Sequence, residues 1–469
     1  MVAIPLPTET SPGRTHAEDG GRLFNAYAEP LGSGASAPAV LRRVPGLRRF
    51  ANVGFENFRG GLTVAPYTYA AFNGAIVKVD LTGAVIVVDA FAGTGPVIFA
   101  RNNKRPLPDV VAVSNTGAYE VKDNFVIALT DPDLPQPNSV ASVGGYFVMG
   151  ISDGRMFASG LNATTFDPLD MATAESNPDG LIRVVGYSGK IYACGSASIE
   201  VWSNEGNPTG FPFSFSTIIQ RGIIGAQAIT GFEDGFSKGL LLVGEDCQVY
   251  ALSGYQLTKI SRPYLDWLIQ TDPNRSDIRC WCHSISGHPC LVVQGTNWSW
   301  TYDLTTGKWH ERRSHLSSTW RAQRSVFASG RWLVGDSKSE WLLELTEAVH
   351  DEVGEPLRFE VETAQAGDFP ARIRVLRADF DLATGVGLAN GIDPNQTDPK
   401  LEISWTDDGG YTWSTPLLCQ LGQMARWGQR VFRSRLGLTG ARGRRWRIAS
   451  SEPVYLALVA GDMTLAKVD

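Results

Sequence analysis

The chain has 469 residues, which is long enough for two or three domains and for a large apolar core. Hydrophobic residues make up 43% and charged residues 19%, which is the composition of a globular protein and excludes a disordered chain. The formal net charge of −6 argues against general electrostatic capture of nucleic acid, because such binding needs a basic surface.

The amino-terminal segment has neither the basic region nor the apolar core of a signal peptide. Apolar runs are too short for a membrane helix, since Lys78, Asp80 and Asp89 interrupt the longest candidate. The six cysteines are few and irregularly spaced, unlike a disulfide framework. We therefore expect a soluble protein made in a reducing compartment.

Residues 1–48 are rich in Pro, Gly, Ser and Ala and show no sustained hydrophobic period. This composition indicates an extended leader that packs on other parts of the protein.

A strand–turn–strand unit recurs between residues 49 and 350, with Gly, Asn or Asp at each turn. Successive units are 39, 36, 45, 50, 50 and 41 residues apart when measured between the anchors Phe72, Val111, Phe147, Tyr192, Leu242, Val292 and Leu333. A period of about 40–50 residues with paired strands is typical of a β-propeller, in which neighbouring blades bury one another's faces. We predict an all-β protein with six or seven blades, where the leader can complete an end blade. Helical signal is weak, and Pro263–Thr271 is the single candidate helix.

Residues 357–469 have longer strands with alternating polar and apolar residues. This pattern predicts a separate β-sandwich after the propeller.

One segment of the predicted sandwich fits the Asp-box pattern, with Thr406, Asp408, Gly410, Thr412 and Trp413 at the motif positions. We interpret it as a structural hairpin turn in which the Asp408 carboxylate accepts backbone N–H bonds and Trp413 covers the hairpin. The motif resembles a turn that sialidases repeat in several blades. Here it occurs once, outside the propeller, so it does not favour a glycosidase.

The densest group of potential metal ligands comprises Cys280, Cys282, His283, His288 and Cys290. A zinc site is one interpretation. We favour a core hairpin that turns at Ser286 and Gly287, because C-x-C spacing is a poor clamp and buried free cysteines are common. We predict no metal site.

A basic run in the predicted sandwich comprises Arg430, Arg433, Arg435, Arg442, Arg444, Arg445 and Arg447. One interpretation is a surface for phosphate or an acidic partner. We favour solvated arginines on strands whose Phe432, Leu436, Trp446 and Ile448 point inward.

The sequence contains no nucleophile elbow, phosphate-binding loop or H-E-x-x-H helix, and its six histidines are scattered. We predict no catalytic residue and no cofactor.

Short blocks along the chain resemble the tail-hub, or tail-nozzle, proteins of short-tailed bacteriophages, also called packaged-DNA stabilisation proteins. Two of these blocks lie in the middle of the chain. They carry the motif residues Glu175, Pro178, Asp179, Gly180, Gly195, Glu200, Gln220, Arg221, Gly222 and Gly225. Further fragments occur along this chain in the same order as the corresponding motifs of that family. They are Arg22–Glu29, Val44–Leu47, Arg59–Gly60, Gly335–Asp336, Thr406–Gly410 and Arg435–Gly437. Each block is weak alone, and their shared order makes the resemblance specific.

The resemblance implies a ring of several copies, usually a hexamer, below the portal and its adaptor. Such a ring extends the DNA channel, retains packaged DNA and anchors tail spikes or fibres and a plug or needle protein. Genomic DNA would pass without sequence recognition. The resemblance also implies a location in the virion tail after synthesis in the bacterial host cytoplasm.

The main alternative is a carbohydrate-active propeller enzyme, either sialidase-like or a depolymerase. It requires arginines, a tyrosine and carboxylates that converge at the axial face of the propeller. A third interpretation, a sugar-binding or scaffold propeller outside a virion, shares the fold. We predict a structural protein and not an enzyme.

Overall fold

The structure is a computed structural model that describes residues 2–15, 18–174, 177, 179–207, 210–236, 238–367, 369–390 and 394–467. None of the helices in these ranges is long and apolar enough to cross a membrane. The predicted helix at Pro263–Thr271 is confirmed.

Nearly all regular structure is β-strand. The strands in the first half of the chain are β1 (Val2–Ala3), β2 (Arg22–Phe24), β3 (Ala26–Pro30), β4 (Ala39–Arg43), β5 (Gly46–Asn52), β6 (Gly60–Val64), β7 (Tyr67–Phe72), β8 (Gly74–Val79), β9 (Val85–Phe91), β10 (Ile98–Arg101), β11 (Val110–Ser114), β12 (Gly117–Val121), β13 (Val126–Ala128), β14 (Ser139–Val143), β15 (Tyr146–Gly150), β16 (Arg155–Ser159), β17 (Phe166–Thr173), β18 (Arg183–Tyr187), β19 (Lys190–Cys194), β20 (Ile199–Asn204) and β21 (Phe213–Ile219).

The second half contains the two α-helices of the described residues. Its elements are β22 (Ile229–Thr230), β23 (Leu241–Val243), β24 (Val249–Ser253), β25 (Gln256–Lys259), α1 (Pro263–Thr271), a 3₁₀ turn (Arg275–Asp277), β26 (Arg279–Ile285), β27 (His288–Gln294), β28 (Ser299–Asp303), β29 (Lys308–Glu311), β30 (Ala322–Ala328), β31 (Arg331–Asp336), β32 (Trp341–Thr346), β33 (Asp351–Glu352), β34 (Glu355–Pro356), β35 (Phe359–Glu362), β36 (Ile373–Leu382), α2 (Pro394–Thr397), β37 (Lys400–Thr406), β38 (Leu417–Gln420), β39 (Val431–Ser434), β40 (Arg445–Ser450) and β41 (Ala457–Lys467).

Contacts divide the chain into two compact units. The propeller unit contains residues 49–296 and 321–345, and the sandwich unit contains residues 1–48, 297–320 and 346–469. This division differs from the predicted bounds in three places, since the leader, residues 297–320 and residues 346–350 are grouped with the sandwich. The reason is strand pairing: β2 of the leader lies between β29 and β35 in one sheet.

The propeller unit consists of consecutive antiparallel sheets. Five of them have four strands each, namely β6–β9, β10–β13, β14–β17, β18–β21 and β22–β25. The hairpin β26–β27 follows, and the seventh group is β30, β31 and β32 with the end of β5 beside them. Residues that precede the first sheet thus supply a strand to the last one.

The seven repeat anchors all lie in the second strand of their sheets, and all seven are buried. A second strand is covered by strands on both sides and by neighbouring sheets on both faces, so it reads as a continuous apolar run. This explains why these strands carry the clearest repeat in the sequence.

The first strands of neighbouring sheets contact one another in order around the axis of the propeller unit. Contacts join β6 to β10, β10 to β14, β14 to β18, β22 to β26 and β26 to β30, and β30 contacts β6. The first strands therefore surround the axis, and the fourth strands form the rim.

The sandwich unit is built from two sheets. One sheet has the order β3-β4-β41-β36-β39, with β1 beside β41. The other contains β28-β29-β2-β35-β40-β37-β38. Apolar residues of the two sheets form one core, which includes Phe380, Leu458, Ile403, Trp446 and Ile448. The alternating sequence pattern arises because each strand turns one face to this core.

Candidate functional site

The Asp179 carboxylate fixes the turn between β19 and β20. Its Oδ2 accepts hydrogen bonds from the backbone N–H groups of Ala197 (2.6 Å) and Ser198 (2.9 Å). A Cβ atom at Gly195 would lie 2.4 Å from the same oxygen, so a side chain there would displace the carboxylate. Gly180 follows Asp179 with a positive φ of 67°. In this block the Asp179 carboxylate thus holds the backbone of the turn.

The next family block packs directly on this turn. The Ile223 N–H donates to the Gly195 carbonyl (3.0 Å), and a Cβ atom at Gly222 would lie 2.2 Å from the carbonyl carbon of Ser196. The Gly225 carbonyl accepts a bond from the Ala228 N–H (3.0 Å) as the chain enters β22. The two blocks thus touch in the folded chain.

The remaining residues of these blocks have separate surroundings. Glu200 is buried and accepts a bond from the Trp202 indole N–H (3.0 Å). Arg221 pairs with Glu245 (2.8 Å), and Gln220 is exposed. The other two block residues, Glu175 and Pro178, lie outside the described residues.

The cysteine and histidine residues of the predicted hairpin lie on β26 and β27, which turn at Ser286 and Gly287. Cys280 and Cys282 share one face of β26, whereas His283 lies opposite Cys290 on the other face. Burial raises the pKa of the Cys280 and Cys282 thiols. Within the described residues, no three Cys, His, Asp or Glu side chains converge as a metal site.

A cavity of about 520 Å³ lies at the axis of the propeller unit. Residues of several first strands line it, including Gly61 of β6, Phe99 of β10, Trp281 of β26 and Ser325 of β30. Two arginines, Arg183 and Arg324, also line it, and Glu233 is the sole carboxylate among its described lining residues.

Four arginines interact electrostatically around this cavity. Burial is the largest cause that lowers the pKa of Arg324 to about 9, and the neighbouring charges of Arg279, Arg183 and Arg59 contribute to the same shift. Burial also lowers the pKa of Arg183, which Glu233 partly offsets. Four arginines face one described carboxylate here, so the axis holds an excess of positive charge, and like charges in a desolvated site disfavour one another.

Backbone carbonyls are the main acceptors for these guanidinium groups. Arg324 donates to the Phe58 carbonyl (2.9 Å) and to the Gln227 side chain, and Arg183 donates to the Ala226 carbonyl (2.8 Å). Arg59 donates to the Gly95 carbonyl (2.6 Å). These acceptors hold the arginines in place without neutralising them.

Sequence reasoning missed this arginine cluster, although a signal was present. Arg183 and Arg279 begin the first strands of their sheets, Arg59 directly precedes one, and Arg324 lies within one. The cluster supplies one requirement of the alternative enzyme, but none of the described residues lining the cavity is a tyrosine.

The Asp-box residues form a compact turn in the sandwich unit. Asp408 Oδ1 accepts from Thr406 Oγ1 (2.6 Å) and the Tyr411 N–H (2.9 Å), and its Oδ2 accepts from the Thr412 N–H (2.9 Å). The hydrogen bonds from the Thr406 and Thr412 side chains are the largest causes that lower the pKa of Asp408. Gly410 has a φ of 112°, and Trp413 lies under the Arg447 guanidinium at 3.8 Å.

The interpretation of the basic run as solvated arginines was wrong for Arg444 and Arg445, which are buried. Arg444 forms a two-pronged pair with Asp407 at 2.8 Å for each bond, and Arg445 pairs with Asp19 at 2.9 Å. Phe432, predicted to point inward, is exposed. The carboxylate partners explain the burial of the two arginines, since a paired charge can enter a core.

The other arginines of the run differ in exposure. Arg430, Arg435 and Arg442 are exposed, Arg433 is half-buried, and Arg447 pairs with Glu362 at 2.6 Å.

Comparison with known proteins gives two family matches and a number of distant structural likenesses, two of which are described below. Residues 22–350 match the family described as bacteriophage P22 Gp10, beta-propeller, and residues 369–462 match bacteriophage P22 Gp10, beta-sandwich. No curated protein matches.

Among solved structures, virginiamycin B lyase from Staphylococcus aureus is 11% identical, with a TM-score of 0.45 over 64% of this chain and 98% of that one. The extracellular domain of a putative hybrid two component system from B. thetaiotaomicron is 10% identical, with a TM-score of 0.44 over 73% of this chain and 45% of that one. Scores this low carry no functional argument.

The two family matches cover most of the chain and include the Asp179 turn, the Gly222 block and the Asp box. The chain belongs to the bacteriophage P22 Gp10 family of tail-hub proteins and is a structural protein of a bacteriophage tail.

Proposed function

We propose that this tail protein assembles into a ring, a hexamer by family resemblance, that forms the hub or nozzle below the portal and adaptor. The ring extends the DNA channel, retains packaged DNA, and anchors tail spikes or fibres and a plug or needle protein. Family membership supports this role, and exposed apolar residues in the sandwich unit support self-association.

The observation that carries the proposal is a pair of adjoining loops, residues 383–390 and 421–430, which we call the loop cluster. Backbone hydrogen bonds join the loops, from the Gly385 N–H to the Leu421 carbonyl (2.9 Å) and from the Ala425 N–H to the Gly385 carbonyl (3.2 Å). The loop cluster exposes 76% of Trp427, 61% of Met424 and 44% of Leu388.

The composition of the loop cluster is that of a protein–protein interface. Arg426 and Arg430 are exposed beside Trp427 and Met424. Trp, Met and Arg are enriched at interfaces, and Trp and Arg dominate binding hot spots. Large exposed apolar side chains grouped in one place cost solubility unless a partner covers them. A second copy of the chain is the partner that a closed ring requires.

The test is the mass of assemblies of the purified chain. We expect the wild-type protein to form rings of one defined size by mass photometry. Trp427→Ala should shift the population toward monomers, with a loss of about 2 kcal/mol per interface, or roughly 30-fold in the association constant.

Tyr411→Ala is the matched control, because Tyr411 is also an aromatic residue with 76% exposure but lies on the Asp-box turn. It should assemble like the wild type. A monomeric wild type at micromolar concentration, alone and in tails released from virions, would overturn the ring. Equal assembly of Trp427→Ala and wild type would overturn the assignment of the loop cluster.

A further inference from the structure

The axial cavity of the propeller unit has donors and charge that the chain itself does not satisfy. Arg183 and Arg324 line it, Arg59 and Arg279 act on it electrostatically, and Glu233 is the sole described carboxylate in its lining. Glu233 is also engaged elsewhere, since it accepts bonds from Thr230 Oγ1 (2.6 Å) and the Gly231 N–H (2.6 Å).

One nitrogen of the two lining arginines has no acceptor among the described residues. It is Nε of Arg183, and it is buried. A buried N–H of a charged group without an acceptor is costly, because it loses its hydration and gains nothing in return. An acceptor from outside the chain would remove this cost.

The chemistry of the lining defines the acceptor. Guanidinium groups bind planar or tetrahedral oxyanions through two parallel N–H bonds. The neutral lining residues Asn115 and Gln227 add amide groups that can donate to further oxygens. The cavity, at about 520 Å³, has ample room for a group of this size.

We propose that the propeller axis is a binding site for a small oxyanion with the chemistry of phosphate, held between Arg183 and Arg324. The anion neutralises the axial arginines and links first strands from opposite parts of the ring. It therefore stabilises the closed propeller. The proposal does not depend on ring assembly or on any role in the tail.

The experiment measures thermal unfolding of the full chain in increasing inorganic phosphate, with sodium chloride adjusted to hold ionic strength constant. We expect the melting temperature of the wild type to rise with phosphate and to saturate. Arg183→Gln and Arg324→Gln should each raise the half-saturating concentration at least about tenfold, because each removes a charge-assisted hydrogen bond. Isothermal titration should show one phosphate per chain.

Arg331→Gln is the control, because Arg331 is exposed on β31 of the same unit and should leave the phosphate dependence unchanged. Arg324→Gln in phosphate-free buffer should unfold at the wild-type temperature or above it, since it relieves repulsion, which shows that the variant folds. The proposal is overturned if phosphate adds nothing beyond chloride in the wild type. It is equally overturned if both axial variants keep the wild-type dependence.

Discussion

Arginines are buried in both units, and two places compensate them in different ways, namely the Asp407–Arg444 pair of the sandwich unit and the axis of the propeller unit. In the sandwich unit, Arg444 is 0% exposed and meets the Asp407 carboxylate through two bonds. At the propeller axis, Arg183 and Arg324 meet mainly carbonyls and each other's charge. Arginine thus has two different roles at these two sites. A neutralised arginine is part of the core, whereas an uncompensated one is available to a ligand.

The largest expected effect tests the neutralised arginine. Asp407→Asn leaves the Arg444 charge buried without its carboxylate, so we expect the free energy of unfolding to fall by about 3 kcal/mol. Urea denaturation of the full chain measures it. Asp381→Asn, at an exposed position of β36, should change stability by less than about 0.5 kcal/mol. Similar losses in the two variants would contradict the structural role of the Asp407–Arg444 pair.

A smaller loss in the free energy of unfolding is expected when the one described carboxylate in the lining of the axial cavity, Glu233, is replaced. Glu233→Gln removes the charge that offsets Arg183, and we expect a loss of about 1–2 kcal/mol at low salt. Glu245→Gln, which breaks the half-exposed pair with Arg221, should cost at most about 1 kcal/mol. If Glu233→Gln leaves the free energy of unfolding unchanged at low salt and in phosphate-free buffer, repulsion among the axial arginines does not affect stability. The contrast with the Asp407–Arg444 pair would then be contradicted.

The smallest effect concerns a carboxylate held by neutral donors. Because hydrogen bonds lower the folded-state pKa of Asp408 below its ordinary value of 3.8, its contribution is present above that value and is lost as pH falls through the folded pKa. Wild type should therefore exceed Asp408→Asn in melting temperature at pH 6, and the difference should shrink below about pH 4. Scanning calorimetry between pH 2 and pH 7 measures this, and a difference independent of pH would contradict it.

The sequence was most informative where one local rule decides the structure. The anchors Phe72, Phe147 and Leu242 recur because the second strand of each sheet is buried on both faces. The repeat and the all-β fold could therefore be predicted. The short helix at Pro263–Thr271 was also predicted, and the proline at its first position suits a helix start.

The buried arginines could not be predicted in the same way. Arg445 is stable in the core because Asp19 lies 2.9 Å away, and these residues are more than 400 positions apart in sequence. The axial cluster likewise forms only when first strands from separate repeats meet. Periodicity reports which face a residue occupies, but it does not report which distant charge will lie opposite.

The placement of β5 has a consequence for biosynthesis. The end of β5 pairs with β32 in the last sheet. Residues near 50 can therefore form this pairing only after residues near 343, about 290 positions later, have been synthesised. During translation the early sheets emerge with an open edge, and the circle closes only after the last repeat leaves the ribosome. A truncated or stalled chain thus keeps an unpaired strand edge, and this edge makes the incomplete chain susceptible to aggregation or proteolysis.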